Sequence, residues 1–254
     1  MLQRIAGLLL VALLMTGCGG SGSSSSSSST PGQAQGVFFG TTSTGKVFES
    51  IVLPSDKFYA LYGCSGNTWC PTSVDNTFWM DGFVAGQGNS NNGTYTASTI
   101  DYYYGSAIAG SVNASYVAGA SFQGSLLESG STATFTGSVP AGFNFNTAAR
   151  LSDITGTWSG ALYASGTGTA TVISNGTFAG SDNDGCSFSG SVSPDASGKN
   201  FFDVTVTFGP NYCAAANQTV QGIAVDYLLS NGVTRQLVVA VNSGNNGTVF
   251  MASR

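Results

Sequence analysis

The chain has 254 residues, 36 of them glycine, with 42% apolar and only 7% charged residues and a formal net charge of −5. That apolar share excludes a disordered chain and predicts a folded protein with a polar, mostly uncharged surface. The acidic balance, with a sequence pI near 4.3 and basic residues scattered at Lys46, Lys57, Arg150, Lys199, Arg235 and Arg254, excludes a nucleic-acid partner, because no basic patch exists to face phosphate.

Residues 1–17 read as a leader. Met1–Arg4 carries one positive charge, and Ile5–Met15 (IAGLLLVALLM) has the length of a secretory signal core, too short to cross a bilayer as a helix. Met15-Thr16-Gly17-Cys18 ends the core with small residues and a thiol. This segment resembles the lipobox of bacterial lipoproteins, with Met15 where leucine is commonest. The resemblance implies a diacylglycerol on the Cys18 sulfur, removal of the leader and acylation of the new amino terminus, so the membrane becomes a partner through that anchor. The chemistry suits the residue: a thiolate is readily alkylated, and each buried acyl methylene contributes about 0.8 kcal/mol. Gly19 follows, where enteric lipoproteins retained on the inner membrane carry aspartate; the resemblance therefore implies the outer membrane. Residues 18–35, the anchor and a Gly/Ser stretch (GGSGSSSSSSSTPGQAQ), read as a flexible tether with a reach of about 20–25 Å.

About 220 residues follow, enough for one large β domain or two small ones. The first unit, 36–139, opens on GVFFG (Gly36–Gly40). Cys64 and Cys70 enclose SGNTW, and Trp69 within it is a ligand-binding candidate if the small ring holds it outward, or a lid if it folds back. Phe78, Trp79 and Phe83 read as packing. Asn92-Gly93 supplies the positive φ of a tight hairpin. Asp101-Tyr102-Tyr103-Tyr104 reads as strand, with Tyr102 and Tyr104 on one face and Tyr103 on the other. Such a stripe is core or barrel rim in the plain reading, and a set of ligand-binding candidates in the other. A connector, 140–155, holds at most a helical turn over Asn146–Ser152 (NTAARLS).

The second unit, 156–254, opens on GTWSG (Gly156–Gly160). Asn175-Gly176, Asn231-Gly232 and Asn246-Gly247 predict further hairpin turns between antiparallel neighbours. Asp182 and Asp184 in GSDNDGC read as a solvated turn rather than a catalytic pair, and Gly185 stands at the wrong place for a calcium loop. Cys186, Phe188, Gly190 and Val192 alternate with serines, and Phe202, Val204, Val206 and Phe208 alternate with Asp203, Thr205 and Thr207, the period of two that predicts strands.

The two halves share a Gly-x-aromatic-x-Gly opening, a cysteine at a similar distance (Cys64, Cys186) and a closing glycine-containing hairpin. The predicted fold class is all-β, an antiparallel meander of two similar calycin-like barrel or sandwich units in tandem, with one continuous sandwich as the alternative. Gly-x-Trp-x-Gly resembles the first strand of calycin barrels, where the tryptophan plugs one end. Lipobox, tether and repeated β units together resemble the barrel-bearing surface lipoproteins of Gram-negative bacteria, such as the transferrin-binding protein B and factor H-binding families. The likeness is architectural, the lipobox is its sharp motif, and this chain is poorer in lysine and glutamate than either family. No binding residue is carried over.

After Cys18, four cysteines remain, an even number that suits an oxidising compartment. Three connectivities are open, and the local pairs Cys64–Cys70 and Cys186–Cys213 fit best. A zinc site fits poorly, since histidine is absent and the spacings are not those of zinc knuckles. No metal or cofactor is expected. With no histidine, no free thiol and no GxSxG, no catalytic residue is expected either. Two functional readings remain: a lipid-anchored binding module that meets a protein partner through loops and exposed aromatics, or a calycin-like carrier of a small apolar ligand.

Overall fold

The computed structural model describes residues 32–64, 79–163, 165–213, 215–229 and 231–254. Cys18, Trp69, Cys70 and Phe78 lie outside the described residues. Strands β1 (Gly36–Thr42), β2 (Val47–Val52), β3 (Lys57–Cys64), β4 (Trp79–Asn91), β5 (Thr94–Tyr103), β6 (Ser106–Val117), β7 (Ser121–Glu128) and β8 (Ser131–Ser138) pair in order, antiparallel, and close into a barrel. After a short helix α1 (Leu151–Ile154), a second closed barrel follows: β9 (Gly156–Leu162), β10 (Gly166–Val172), β11 (Thr177–Asp182), β12 (Ser187–Pro194), β13 (Phe202–Phe208), β14 (Thr219–Leu228), β15 (Arg235–Ser243) and β16 (Asn246–Ser253). The fold is therefore two eight-stranded antiparallel barrels in tandem, not one sandwich.

Closure explains the shared glycine motif. Gly40 sits where β1 pairs with β8, and Gly160 where β9 pairs with β16. A Cβ on Gly40 would lie 1.9 Å from the Thr136 carbonyl oxygen, and one on Gly160 2.1 Å from that of Met251. The opening glycines, Gly36 (φ +152°) and Gly156 (φ +124°), adopt backbone that disfavours any side chain. Between them the central aromatic turns inward: Phe38 stacks on Phe122 with ring centroids 5.4 Å apart, and Trp158 is fully buried with its Nε1–H donating to the Ile154 carbonyl at 2.7 Å. Arg254 lies over the Trp158 ring, 4.3 Å from its centroid, so α1 and the last residue cap that end together.

The barrels pack wall to wall. Strands exposed on one side alternate buried and exposed, as β5, β10 and β13 do, but β2 is buried along its whole length and β14, β15 and β16 carry runs of consecutive buried residues. A strand covered on both faces reads as a continuous apolar run. One core cluster accordingly draws Ile51, Tyr59, Phe83 and Tyr102 from the first barrel and Val225, Val238 and Met251 from the second. Phe83 stacks on Tyr102 at 4.5 Å and meets Tyr163 edge-on at 5.5 Å, while the Tyr102 hydroxyl donates to the Gly244 carbonyl at 2.6 Å. The connector joins this seam through Phe143, whose ring meets Tyr227 at 5.6 Å. Glu49, fully buried there, accepts a hydrogen bond from Gln236 at 3.2 Å; burial pushes its carboxyl up to about 7, against a smaller opposing pull from Tyr227.

Three expectations are corrected by this packing. Asn246-Gly247 is not a turn: β16 begins there and the turn lies at Gly244 (φ +56°) and Asn245. Gly247 is glycine for a different reason, because a Cβ would come 2.4 Å from the Phe83 ring of the other barrel. Tyr104 does not share a strand face with Tyr102; β5 ends at Tyr103, and Tyr104 turns the chain with φ +45°. Trp79, read as packing, stands 63% exposed, whereas Phe83 is buried.

Candidate binding cavity

Alternation along β5 sends Tyr95, Ala97, Thr99 and Asp101 into the first barrel and Tyr102 out into the seam. One end of the interior is filled by Phe38, Phe58, Tyr95 and Phe122, rings in mutual contact at 5.4–6.1 Å, and the Tyr95 hydroxyl donates to the Asp56 carbonyl at 2.8 Å. Next to this plug lies a cavity of about 320 Å³, its apolar walls formed by Phe48, Phe58, Val84, Val112, Phe122 and Phe135. Small-molecule sites begin near this size, about 300 Å³.

The other end of the cavity is polar. Tyr62, Asp101 and Glu128 line it with Thr44, Lys46 and Tyr103. Two cross-strand glycines make room for the long side chains. Tyr62 pairs with Gly82, where a Cβ would lie 2.4 Å from the phenol oxygen, and Glu128 pairs with Gly110, where a Cβ would lie 2.6 Å from Glu128 Cγ. Tyr62 therefore reaches Asp101, its hydroxyl lying 2.9 and 2.8 Å from the two carboxylate oxygens. Glu128 hydrogen-bonds Asp101 as well.

Burial, then the neighbouring Asp101 charge, pushes the Glu128 carboxyl up to about 7. Asp101, 5% exposed, is raised too, chiefly by burial, with the hydrogen bonds from Tyr62 and Glu128 pulling the other way. Two such carboxyls in contact hold one proton between them near neutral pH, since both cannot ionise cheaply side by side. Burial and Asp101 drive Tyr62 upward, so its phenol keeps its proton. Lys46, the cation in the lining, is ion-paired to Asp81 instead.

The second barrel is filled. Its interior leaves about 70 Å³, lined by apolar side chains such as Phe178, Phe188, Phe208 and Phe250.

Of the sequence candidates, Tyr103 lines the cavity and is 38% exposed, Tyr102 belongs to the seam, and Tyr104 is 74% exposed at the β5–β6 turn. Trp79 and Tyr104 flank a separate cleft of about 500 Å³ whose far wall is Ala161, Leu162 and Tyr163 of the second barrel. Cys186 and Cys213 form a disulfide with Cα atoms 4.7 Å apart; Cys64 is disulfide-bonded, and Cys70 lies outside the described residues. Asp182 serves its turn, its Oδ1 accepting the backbone N–H groups of Asp184 and Cys186 at 3.0 and 2.8 Å. Among the described residues no group of three histidine, cysteine or carboxylate side chains could hold a metal ion. The Asp101–Glu128 pair was missed by sequence reasoning; its one signal was a charge at an inward position of β5.

These features define a class, tandem antiparallel β-barrels with one hollow member. No family model and no curated protein matches the chain. Among solved structures it is similar to the isotype 1 transferrin binding protein B from serogroup B Neisseria meningitidis, with a TM-score of 0.26 and 8% sequence identity over 83% of this chain and 66% of that one.

Proposed function

We propose that this chain is a non-enzymatic, lipid-anchored binding protein of the outer membrane whose first barrel carries a small, largely apolar ligand. The observation that carries the reading is the difference in filling between two barrels of one architecture, about 320 Å³ against about 70 Å³. A cavity lined by aromatic and aliphatic side chains with a few convergent polar groups suits a ligand better than a reaction. The carboxyls of the one acidic pair in it touch, whereas glycoside-hydrolysing pairs stand about 5 Å or more apart. Cys18, acylated after removal of residues 1–17, would fasten the barrels to the bilayer through the serine tether.

Native mass spectrometry of protein purified from its own cells is expected to show a bound small molecule, lost when Val84→Trp fills the cavity. An empty wild-type barrel would sink the carrier reading. The same spectrum is expected to show an acylated Cys18 at the amino terminus, and a bare cysteine or a retained leader would remove the anchor.

The exposed Trp79 and Tyr104 beside the second cleft favour a protein-contact role alongside, since aromatics concentrate in the energetic centres of interfaces. Replacing both with alanine is expected to abolish capture of an envelope partner in a pull-down; unchanged capture would exclude that role.

A further inference from the structure

The polar end of the first barrel has more acceptors than donors. The four carboxyl oxygens of Asp101 and Glu128 face one Tyr62 proton and the single proton they share, and Glu128 Oε1 has no partner. Thr99, 4% exposed and inward on the same strand as Asp101, also leaves its Oγ1 unpartnered, 3.1 Å from the Cβ position of Gly110 beside Glu128. A buried polar atom without a partner costs roughly 1–3 kcal/mol, so a site that keeps two is shaped for a group absent from the chain itself.

Charge points the same way. The titratable groups around the pair are Tyr62 from β3, Lys46 from the β1–β2 turn, Asp81 from β4, Tyr103 from β5, and Tyr163 from the end of β9. Lys46 and Asp81 form an ion pair, and Tyr62 and Tyr163, both driven upward by burial, keep their protons, so the carboxyl pair leaves the pocket with a net negative charge. Among the described residues the other cations are engaged elsewhere or lie outside the lining: Lys57 on Tyr59, Lys199 on Asn146, Arg235 on Asp226, Arg254 on Trp158, and Arg150 just ahead of α1.

Resting on the carrier reading above, we infer that the ligand of the first barrel is a small primary amine with an apolar body, its ammonium held by Asp101 and Glu128 and its body against Phe58, Phe122 and Phe135. An ammonium brings three donors and the missing positive charge to acceptors that outnumber their donors. The aromatic plug sets the length of the body. Because the ammonium takes the place of the shared proton, affinity falls as acid supplies that proton through about pH 7.

The test uses the full chain in lipid nanodiscs, titrated calorimetrically with 2-phenylethylamine, 2-phenylethanol and phenylacetate, against empty nanodiscs as blank. The amine is expected to bind about tenfold more tightly than the alcohol near pH 8, as one to two charge-assisted hydrogen bonds would give, and phenylacetate is expected not to bind. Lowering the pH from about 8 to about 6, through the titration of Glu128, is expected to weaken the amine several-fold and leave the alcohol unchanged. Glu128→Gln and Asp101→Asn, checked for folding by circular dichroism, should do the same near pH 8. If the alcohol equals the amine in the wild type, the inference falls and the carrier reading stands. If none of the three binds, both fall.

Discussion

The two barrels use one device to opposite ends. In the second, Phe188 and Phe178 lie across their cross-strand partners Gly180 and Gly190, rings 2.5 and 2.7 Å from where a Cβ would stand, and the interior closes over with hydrocarbon. In the first, Tyr62 and Glu128 lie across their cross-strand partners Gly82 and Gly110, and Tyr95 and Phe48 lie over Gly88 and Gly137. A glycine opposite a long side chain lets that side chain lie flat along the wall, so the identity of the overlying residue decides whether the interior is filled or lined. Phe178 and Phe188 there fill the second interior with hydrocarbon; Tyr62 and Glu128 there leave a polar lining in the first. The difference teaches that one barrel supplies stability and the other accepts a cost in order to stay open.

The harshest way to break the comparison is to remove the plug of the filled barrel. Trp158→Ala deletes a fully buried indole, its hydrogen bond and its contact with Arg254, with an expected loss of about 3–5 kcal/mol in denaturant unfolding. Phe38→Ala in the hollow barrel is expected to cost less, because the cavity beside it lets the surrounding rings relax.

A second test addresses the seam that unites them. The folded state holds the Glu49 proton more tightly than the unfolded chain does, so its contribution is full below about pH 4.5 and is lost as pH rises toward 7. The expected fall is about 3 kcal/mol, measured by denaturant titration at fixed pH values across that window. Glu49→Gln should flatten the part of the profile that belongs to this residue, and an unaltered slope would place the pH dependence elsewhere.

Converting the hollow barrel toward the filled one gives a smaller effect of opposite sign. Glu128→Leu puts hydrocarbon over Gly110, and is expected to raise stability by about 1 kcal/mol near pH 8 while abolishing amine binding. Thermal melting and calorimetry on one preparation read both. Smallest of all, Trp79→Ala and Tyr104→Ala should each change stability by less than about 0.5 kcal/mol, since neither side chain is buried; a larger loss would make them structural.

The site was less legible than the fold for a specific reason. Asp101 opens a run of three tyrosines, and its inward direction follows from the parity of Tyr95, Ala97 and Thr99 on the same strand. Its partner Glu128 lies two strands away, and they meet across Gly110 of β6, which pairs with Thr99 of β5 on one side and with Glu128 of β7 on the other. Tyr102 shows the converse. It reads from the sequence as a ligand contact, and the neighbouring barrel claims it through the Gly244 carbonyl and the Asn242 amide.

Read alone, the amino acids determined the local facts: antiparallel strands wherever apolar and polar residues alternate, as over Phe202–Phe208, the all-β class, and the twin openings at Gly36 and Gly156. These are legible because a strand's two faces are set by the backbone and need no knowledge of neighbours. Tertiary structure alone decided which faces are covered twice, why Gly247 is glycine, and which barrel stays hollow. Each of those depends on what another part of the chain brings within a few ångströms, and no spacing along one strand records that distance.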